Sequence, residues 1–402
     1  MRTYGELFRT PEFGAVFFTY SGQIAAQTVS GLALGTLIYT ATGSPLLSAL
    51  AMFGPSLAQL VGASTLLSGA DRLPPRTVLT GMSLFFALST AAYAIPGVPV
   101  WVIFTILFGQ GMIAALGGGV CFGLLNEILP GNGYVLGTSV LSLATGVMQI
   151  GGYAVGGVLV TSLSPRVALL IGAALHVIAA VVARAGLSNR PPRATGRMSA
   201  GETWRNNVRL WSDKGRRYVY LSFWLPCGLI VGCESLYVSY SPRHAGAMFA
   251  FGAFGMLVGD VLTGRLLTPR QRARFGVPLL LLLAVPHLAF AWRLSLPAAL
   301  AAVTLAAIGY SANWVLQERL ISLTPADLTG QALGLYTSGM RAAQGCGAAL
   351  AGAVAEFTSP SMGIVASAVA AVLSILILAP ALRATSALPV PSGHLTNGKE
   401  AK

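Results

Sequence analysis

The chain has 402 residues, of which 54% are hydrophobic and only 9% charged, with a formal net charge of +13. A soluble domain carries about 25% charged residues, so the composition excludes an ordinary soluble enzyme and fits a polytopic membrane protein with basic loops. The basic residues are spread through loops between apolar runs, which argues against a nucleic-acid partner.

A bilayer core takes about 20 apolar residues per helix. Six such runs come first, at 14–39, 46–68, 77–95, 99–125, 134–161 and 166–185. Six more follow at 218–240, 245–267, 275–292, 297–321, 329–356 and 361–382. Turn chemistry separates them, as at Gly43-Ser44-Pro45, Pro96-Gly97, Pro130-Gly131-Asn132, Ser164-Pro165 and Ser359-Pro360. The first run is about twice the roughly 7–15-residue apolar core of a secretory signal and is expected to stay as a span. The expected domains are an N-terminal six-helix bundle (1–185), a basic cytoplasmic linker (186–217), a second six-helix bundle (218–383) and a disordered cytoplasmic tail (384–402).

Charge supports that count. With both termini and the linker in the cytoplasm, 21 of the 25 Lys and Arg fall on that side, nine of them between 184 and 217. Arg166, Arg243 and Arg293 fall outside, and Arg341 lies within a span. This positive-inside bias predicts a multi-pass protein of the cytoplasmic membrane with cytoplasmic N- and C-termini. The expected fold class is an all-α membrane protein with twelve transmembrane helices in two pseudo-symmetric six-helix bundles. Two equal halves imply a site between them near the midplane.

The loop after the second span reads Ser68-Gly69-Ala70-Asp71-Arg72-Leu73-Pro74-Pro75-Arg76. Asp71 can accept hydrogen bonds from helix N-termini, and Arg72 and Arg76 can pair with acids on other helices. Such a cluster either latches the cytoplasmic side in one state or is a short solvated loop that obeys the charge bias. Here the chain resembles the major facilitator superfamily, whose signature loop between the second and third helices has a Gly-rich helix end, Asp-Arg and further basic residues. Gly69, Asp71, Arg72 and Arg76 fit, whereas Pro74 and Pro75 depart from the usual Gly-Arg. The resemblance implies a cytoplasmic gating loop, with a counterpart in the second half at Gly259-Asp260 and Gly264-Arg265. It spans roughly residues 10–383. Asn126-Glu127, Gly232-Cys233-Glu234 and Gln317-Glu318-Arg319 resemble the drug-efflux-like exporters common in actinobacteria. Two features depart from the superfamily's proton-coupled antiporters: Leu107 stands where an arginine precedes the Gln110-Gly111 pair, and the Gly-rich fifth span lacks a proline. In that span Gly152 and Gly156 form a GxxxG that permits close helix approach.

Ionisable groups inside a membrane are costly and point to function. Glu234, in the outer half of the seventh span, reads as a proton carrier or a contact to a cationic substrate, or else as a helix-end acid paired with Arg243. Arg341, in the eleventh span, reads as an anchor for a substrate carboxylate or a partner for Glu234, or else as a side chain that snorkels to the surface. Because arginine stays protonated, it is not a proton carrier itself. His176 and His287 read as packing or hydrogen-bonding residues. The amides Gln23, Gln27, Gln59, Gln110, Gln149, Asn313 and Gln344 either line a mixed polar and aromatic cavity with Tyr20, Trp314 and Tyr336 or hydrogen-bond between helices. Cys121, Cys227, Cys233 and Cys346 lie in apolar runs with no metal-ligand spacing and read as packing residues.

No nucleotide-binding, zinc-hydrolase, esterase or kinase motif occurs. The chain is therefore expected to be no enzyme, with no catalytic residue, metal or cofactor. The work then comes from a gradient, most economically of protons. The reading is a monomeric secondary active transporter, a proton-coupled exporter of a small-molecule substrate of amphipathic character that works by alternating access. An uptake symporter or facilitator for a nutrient is the alternative. A non-transporting sensor would call for a regulatory domain that the chain does not contain.

Overall fold

The computed structural model describes residues 4–70, 73–129, 132–191, 200–325 and 328–386. Among these the regular structure is entirely helical, as a bilayer demands of a chain that must satisfy its own backbone polar groups. The first half comprises α1 (Tyr4–Arg9), α2 (Phe13–Thr42), α3 (Pro45–Phe53), α4 (Pro55–Ala70), α5 (Pro75–Tyr93), α6 (Val100–Ile128), α7 (Asn132–Ser162) and α8 (Pro165–Gly186). A short helix, α9 (Ala200–Ser212), precedes the second half. That half comprises α10 (Lys214–Ser235), α11 (Tyr237–Tyr240), α12 (Ala245–Arg265), α13 (Pro269–Ala284), α14 (Leu296–Ile308), α15 (Ala312–Ser322), α16 (Thr329–Phe357) and α17 (Pro360–Ser386).

Local chemistry sets many of these boundaries. Proline opens α3, α5 and α8, where its missing N–H costs nothing. Ser44, Ser164 and Asp213 accept backbone N–H bonds as N-caps, and Thr268 forms a capping box with Gln271. Gly43 ends α2 at φ 68°, a left-handed turn that suits glycine.

Nine helical segments among the described residues are long and apolar enough to cross a membrane, and α3 with α4 makes a tenth, bent by 41°. Helices α5 and α16, of 19 and 29 residues, have the length but carry more polar side chains. With them the segments number twelve, six on each side of α9. Their outer faces are apolar, with Leu88, Trp101 and Ile377 each more than 70% exposed, as lipid contact requires.

Three details differ from the sequence reading. The second span breaks at Gly54-Pro55, where proline cannot continue the helical ladder. The ninth and tenth spans pass through 3-10 turns, at Val285–Ala291, which contains Pro286, and at Gly309–Ser311. The linker of 186–217 is helical in its second part. In α9, Trp204, Val208 and Trp211 recur at i, i+4 and i+7. Trp211 stacks on Trp224 at 5.6 Å, and Gln331 donates to the Asn207 side chain at 2.9 Å. The Arg216 guanidinium donates to the carbonyls of Arg209, Leu210 and Leu323. This region is thereby fastened to the second half. Of the tail expected at 384–402, the first three residues belong to α17 and residues 387–402 lie outside the described residues.

Each half has its own core. Tyr220, Phe223, Tyr237 and Phe290 anchor the second, and Phe13, Phe86, Leu124 and, in a separate cluster, Val29, Ile103 and Leu169 anchor the first. The halves meet along α7 with α12 and along α3 and α4 with α16. The contact is tightest at the end of the bundle away from α9. There a Cβ on Gly246 would lie 2.4 Å from Gly157 Cα, so the two backbones touch. The Glu356 carboxylate, near the end of α16, accepts hydrogen bonds from Ser44 Oγ at 2.7 Å and Leu46 N at 3.3 Å at the start of α3. At the α9 end, the ion pairs among the described residues stay within one half: Arg190 bridges Glu12 and Glu127 at 3.3 and 3.1 Å, and Arg272 pairs with Glu318.

Candidate functional site

A cavity of about 560 Å³ lies between the halves. The first half contributes Tyr20, Gln27, Gln59, Gln110 and Gln149, and the second Glu234, Asp260, Asn313, Trp314, Arg341 and Gln344. The wall between these groups is mostly apolar and aromatic, the composition of a small-molecule site.

Glu234 is the penultimate residue of α10, towards the closed end. The Tyr310 hydroxyl donates to its carboxylate at 3.0 Å. Tyr153, from the first half, and Tyr237 lie within electrostatic range of it. Phe249 stacks on Tyr153 at 4.8 Å and lies 5.2 Å from Tyr237. Glu234 forms no ion pair with Arg341 or with Arg243, so both pairings considered from sequence are absent from this conformation.

Arg341 is exposed on the cavity wall and makes no hydrogen bond or ion pair among the described residues. The register of α10 against α16 explains why it misses Glu234. A Cβ on Gly228 would meet Ala343 O at 2.5 Å, and one on Gly232 would meet Gly347 O at 2.6 Å. Arg341 therefore stands level with Pro226, eight residues below Glu234, or about 12 Å along the helix at 1.5 Å per residue.

The amides divide. Gln27 faces the cavity, but Gln23, one turn away, is only 7% exposed and donates to Ser83 Oγ at 2.7 Å between α2 and α5. Gln110 accepts from the Tyr93 hydroxyl at 2.9 Å and donates to Ser89. Asn313 accepts from Gln317 and from Tyr336, each at 3.0 Å. Gln344 reaches Cys227 Sγ at 3.7 Å. Tyr20 and Trp314 line the cavity as expected, whereas Tyr336 is buried behind the wall against Phe223. His176 lies edge-on to Phe86, and His287 is buried against the Tyr237 hydroxyl at 2.9 Å. Cys121, Cys227 and Cys233 are buried and Cys346 is exposed.

The expected gating residues also divide. Gly69 lies in the last turn of α4, and Asp71 and Arg72 lie outside the described residues. Arg76, in the first turn of α5, donates to the Arg184 carbonyl of α8 in its own half. The 259–265 stretch is helix rather than loop, because nothing in it interrupts α12. Arg265 ends that helix, but Asp260 is on the cavity wall, where Trp314 Nε1 donates to its carboxylate at 2.9 Å. Sequence reasoning missed Tyr153, Tyr237, Phe249 and Tyr310, since aromatic residues in apolar spans carry no distinguishing spacing. It also missed Glu356, whose position near a span end concealed a contact between the halves.

A family model described as the Major Facilitator Superfamily matches residues 16–323. No curated protein matches the chain. Solved structures similar to it include a bacterial homologue of the human lysosomal transporter Spinster, inward-facing and unoccupied, with TM-score 0.70 and 14% identity over 93% of this chain and 96% of that one. The nucleoside transporter NupG, as a point mutant, aligns with TM-score 0.75 and 13% identity over 92% and 99%. The peptide transporter POT in complex with sulfate aligns with TM-score 0.72 and 15% identity over 93% and 95%. At such identities the likeness is one of fold.

Proposed function

The chain belongs to the Major Facilitator Superfamily, and from that premise we propose that it is a proton-coupled exporter of small amphipathic organic compounds. The observation that carries the reading is the cavity between the halves, where Glu234, Asp260 and Arg341 stand on a largely apolar and aromatic wall. Ionisable groups within membrane spans are costly and point by default to a pathway. A wall of that mixed character suits amphipathic molecules.

The two halves rock about the cavity. The state described here is closed at the end away from α9, by Gly157 against Gly246 and by Glu356 on the start of α3. The bias of basic residues supports a cytoplasmic α9 end, and on this reading the state faces inward with both termini in the cytoplasm. Arg76, held within its own half here, is free to contribute with Asp71 and Arg72 to a latch when the inner side closes. Glu234 is the proton carrier, since it is a carboxyl on the cavity wall with a single neutral donor and no cationic partner among the described residues. The protein acts as a monomer in the cytoplasmic membrane.

Reconstitution into liposomes with an imposed pH gradient tests the reading. Substrate is expected to accumulate against its gradient, and a protonophore should collapse the accumulation. In Glu234→Gln the steady-state accumulation ratio is expected to fall to one, whatever the rate of approach. Undiminished uphill accumulation in that variant would remove Glu234 from the coupling mechanism.

A further inference from the structure

The cavity has two chemically distinct ends. At the closed end the Glu234 carboxylate sits among Tyr153, Tyr237, Phe249 and Tyr310, all on the cavity wall. A carboxylate with aromatic side chains around it on a cavity wall suits an organic ammonium, through the ion pair and through cation–π attraction. About 12 Å lower along the α10–α16 pair stands Arg341, exposed to the cavity and with no hydrogen-bond or ion-pair partner among the described residues. A planar guanidinium with unused donors is suited to a carboxylate or a phosphate. The axial offset keeps the two charges from neutralising each other, and the cavity surface between those levels includes Cys227 and Val231 of α10 and Gln344 of α16.

We propose that the substrate is an amphipathic zwitterion whose ammonium and anionic groups are held apart by an apolar body. The ammonium enters the aromatic enclosure at Glu234, and the anionic group binds Arg341. This deepens the exporter reading and rests on it. The enclosure also supplies a release step. Tyr153 belongs to the first half, whereas Glu234, Tyr237, Phe249 and Tyr310 belong to the second. Parting the halves at the closed end removes one wall of the enclosure and weakens its hold on the ammonium as that side opens.

Asp260 is the competing acid on the wall. The Trp314 indole occupies one of its oxygens, and it forms no ion pair with Arg341. It lies on α12 only five residues from the helix end nearer α9, so an ammonium held there would lie far from the tyrosines around Glu234.

The test changes the ligand first, so the wild-type protein carries the main result. Binding of (ω-aminoalkyl)benzoic acids of graded chain length is measured by titration calorimetry, beside their N-acetyl derivatives, which keep only the acid, and their methyl esters, which keep only the amine. Each blocking step is expected to weaken binding roughly tenfold or more, as loss of a charge-assisted contact should. The N-acetyl penalty should vanish in Glu234→Gln and the ester penalty in Arg341→Gln. An ester that binds as well as its free acid would overturn the proposal, as would loss of the N-acetyl penalty in Asp260→Asn instead of Glu234→Gln. Liposome transport of simple lipophilic amines is measured in parallel. Their export without any zwitterion preference leaves the exporter reading standing and removes this inference, and absence of both binding and transport across the panel removes both.

Discussion

Substituting Gly246 by alanine tests whether closure at the end away from α9 belongs to the working cycle. The added Cβ would lie 2.4 Å from Gly157 Cα, 2.9 Å from Tyr153 O and 3.0 Å from Gly157 N, all backbone atoms that no rotamer change can move aside. Carbon atoms pack at about 3.5–4.0 Å, so α7 and α12 must separate by about 1–1.5 Å at that point. Overpacking of this kind costs roughly 1–3 kcal/mol. Charged to one of two conformations, that shifts their ratio about 5- to 150-fold. The strain falls between the halves rather than inside either core, so folding should survive. Spin labels at Leu163 and Arg243, which flank the contact, should show a broadened or longer distance distribution, and turnover should fall with the population of the closed state. Gly81 is the control, because a Cβ there meets nothing within 4 Å. If Gly246→Ala and Gly81→Ala both match the wild type in distance and turnover, the Gly157–Gly246 contact has no part in gating.

Two smaller perturbations separate gating from packing. Glu356→Ala removes the carboxylate that holds Ser44 and Leu46 across the halves, and since that group is exposed the loss should be about 1 kcal/mol. The same labels should then show a shift in the same direction as Gly246→Ala but smaller; no shift would mean that the pair closes nothing. Gln23→Leu removes the buried bond to Ser83 and should lower stability by roughly 1–2 kcal/mol, read as the thermal midpoint in detergent, while leaving substrate KM unchanged. A raised KM at unchanged stability would return Gln23 to the substrate pathway.

The architecture was largely legible because a bilayer leaves so few options. Apolar runs of membrane length, proline and glycine at their ends and the bias of Lys and Arg led to six segments on each side of a polar linker. Breaks inside spans were harder to see. Gly54-Pro55 and Pro286 sit in runs whose hydropathy is uninterrupted, and proline in a membrane helix has several structural outcomes. Helix α9 was hidden because its composition is polar and only Leu210 is fully buried among its large apolar residues. In the site, Glu234 and Arg341 stood out because charge inside an apolar run is costly. What spacing alone could not supply was depth. Gln23 and Gln27 share a helical face, yet one turn, about 5.4 Å, puts Gln27 on the cavity wall and Gln23 under α5. The same problem applied to Asp260, whose place near a helix end looked like a loop although the cavity reaches that far. The register that holds Arg341 away from Glu234 depends on glycines of two helices distant in sequence, Gly228 and Gly232 against Gly347.

The docking of α9 has a mechanical consequence. From Ala200 onward the chain travels with the second half, through the Trp211–Trp224 stack and the Arg216 contacts. Arg190 travels with the first half, through Glu12 and Glu127. Arg190 and Ala200 are ten peptide units apart along the chain, and covalent geometry limits their separation to about 33–36 Å. The separation of the two halves at these anchors therefore has a maximum set by chain length, and removing residues between them would restrict passage of bulky cargo before it affected small cargo.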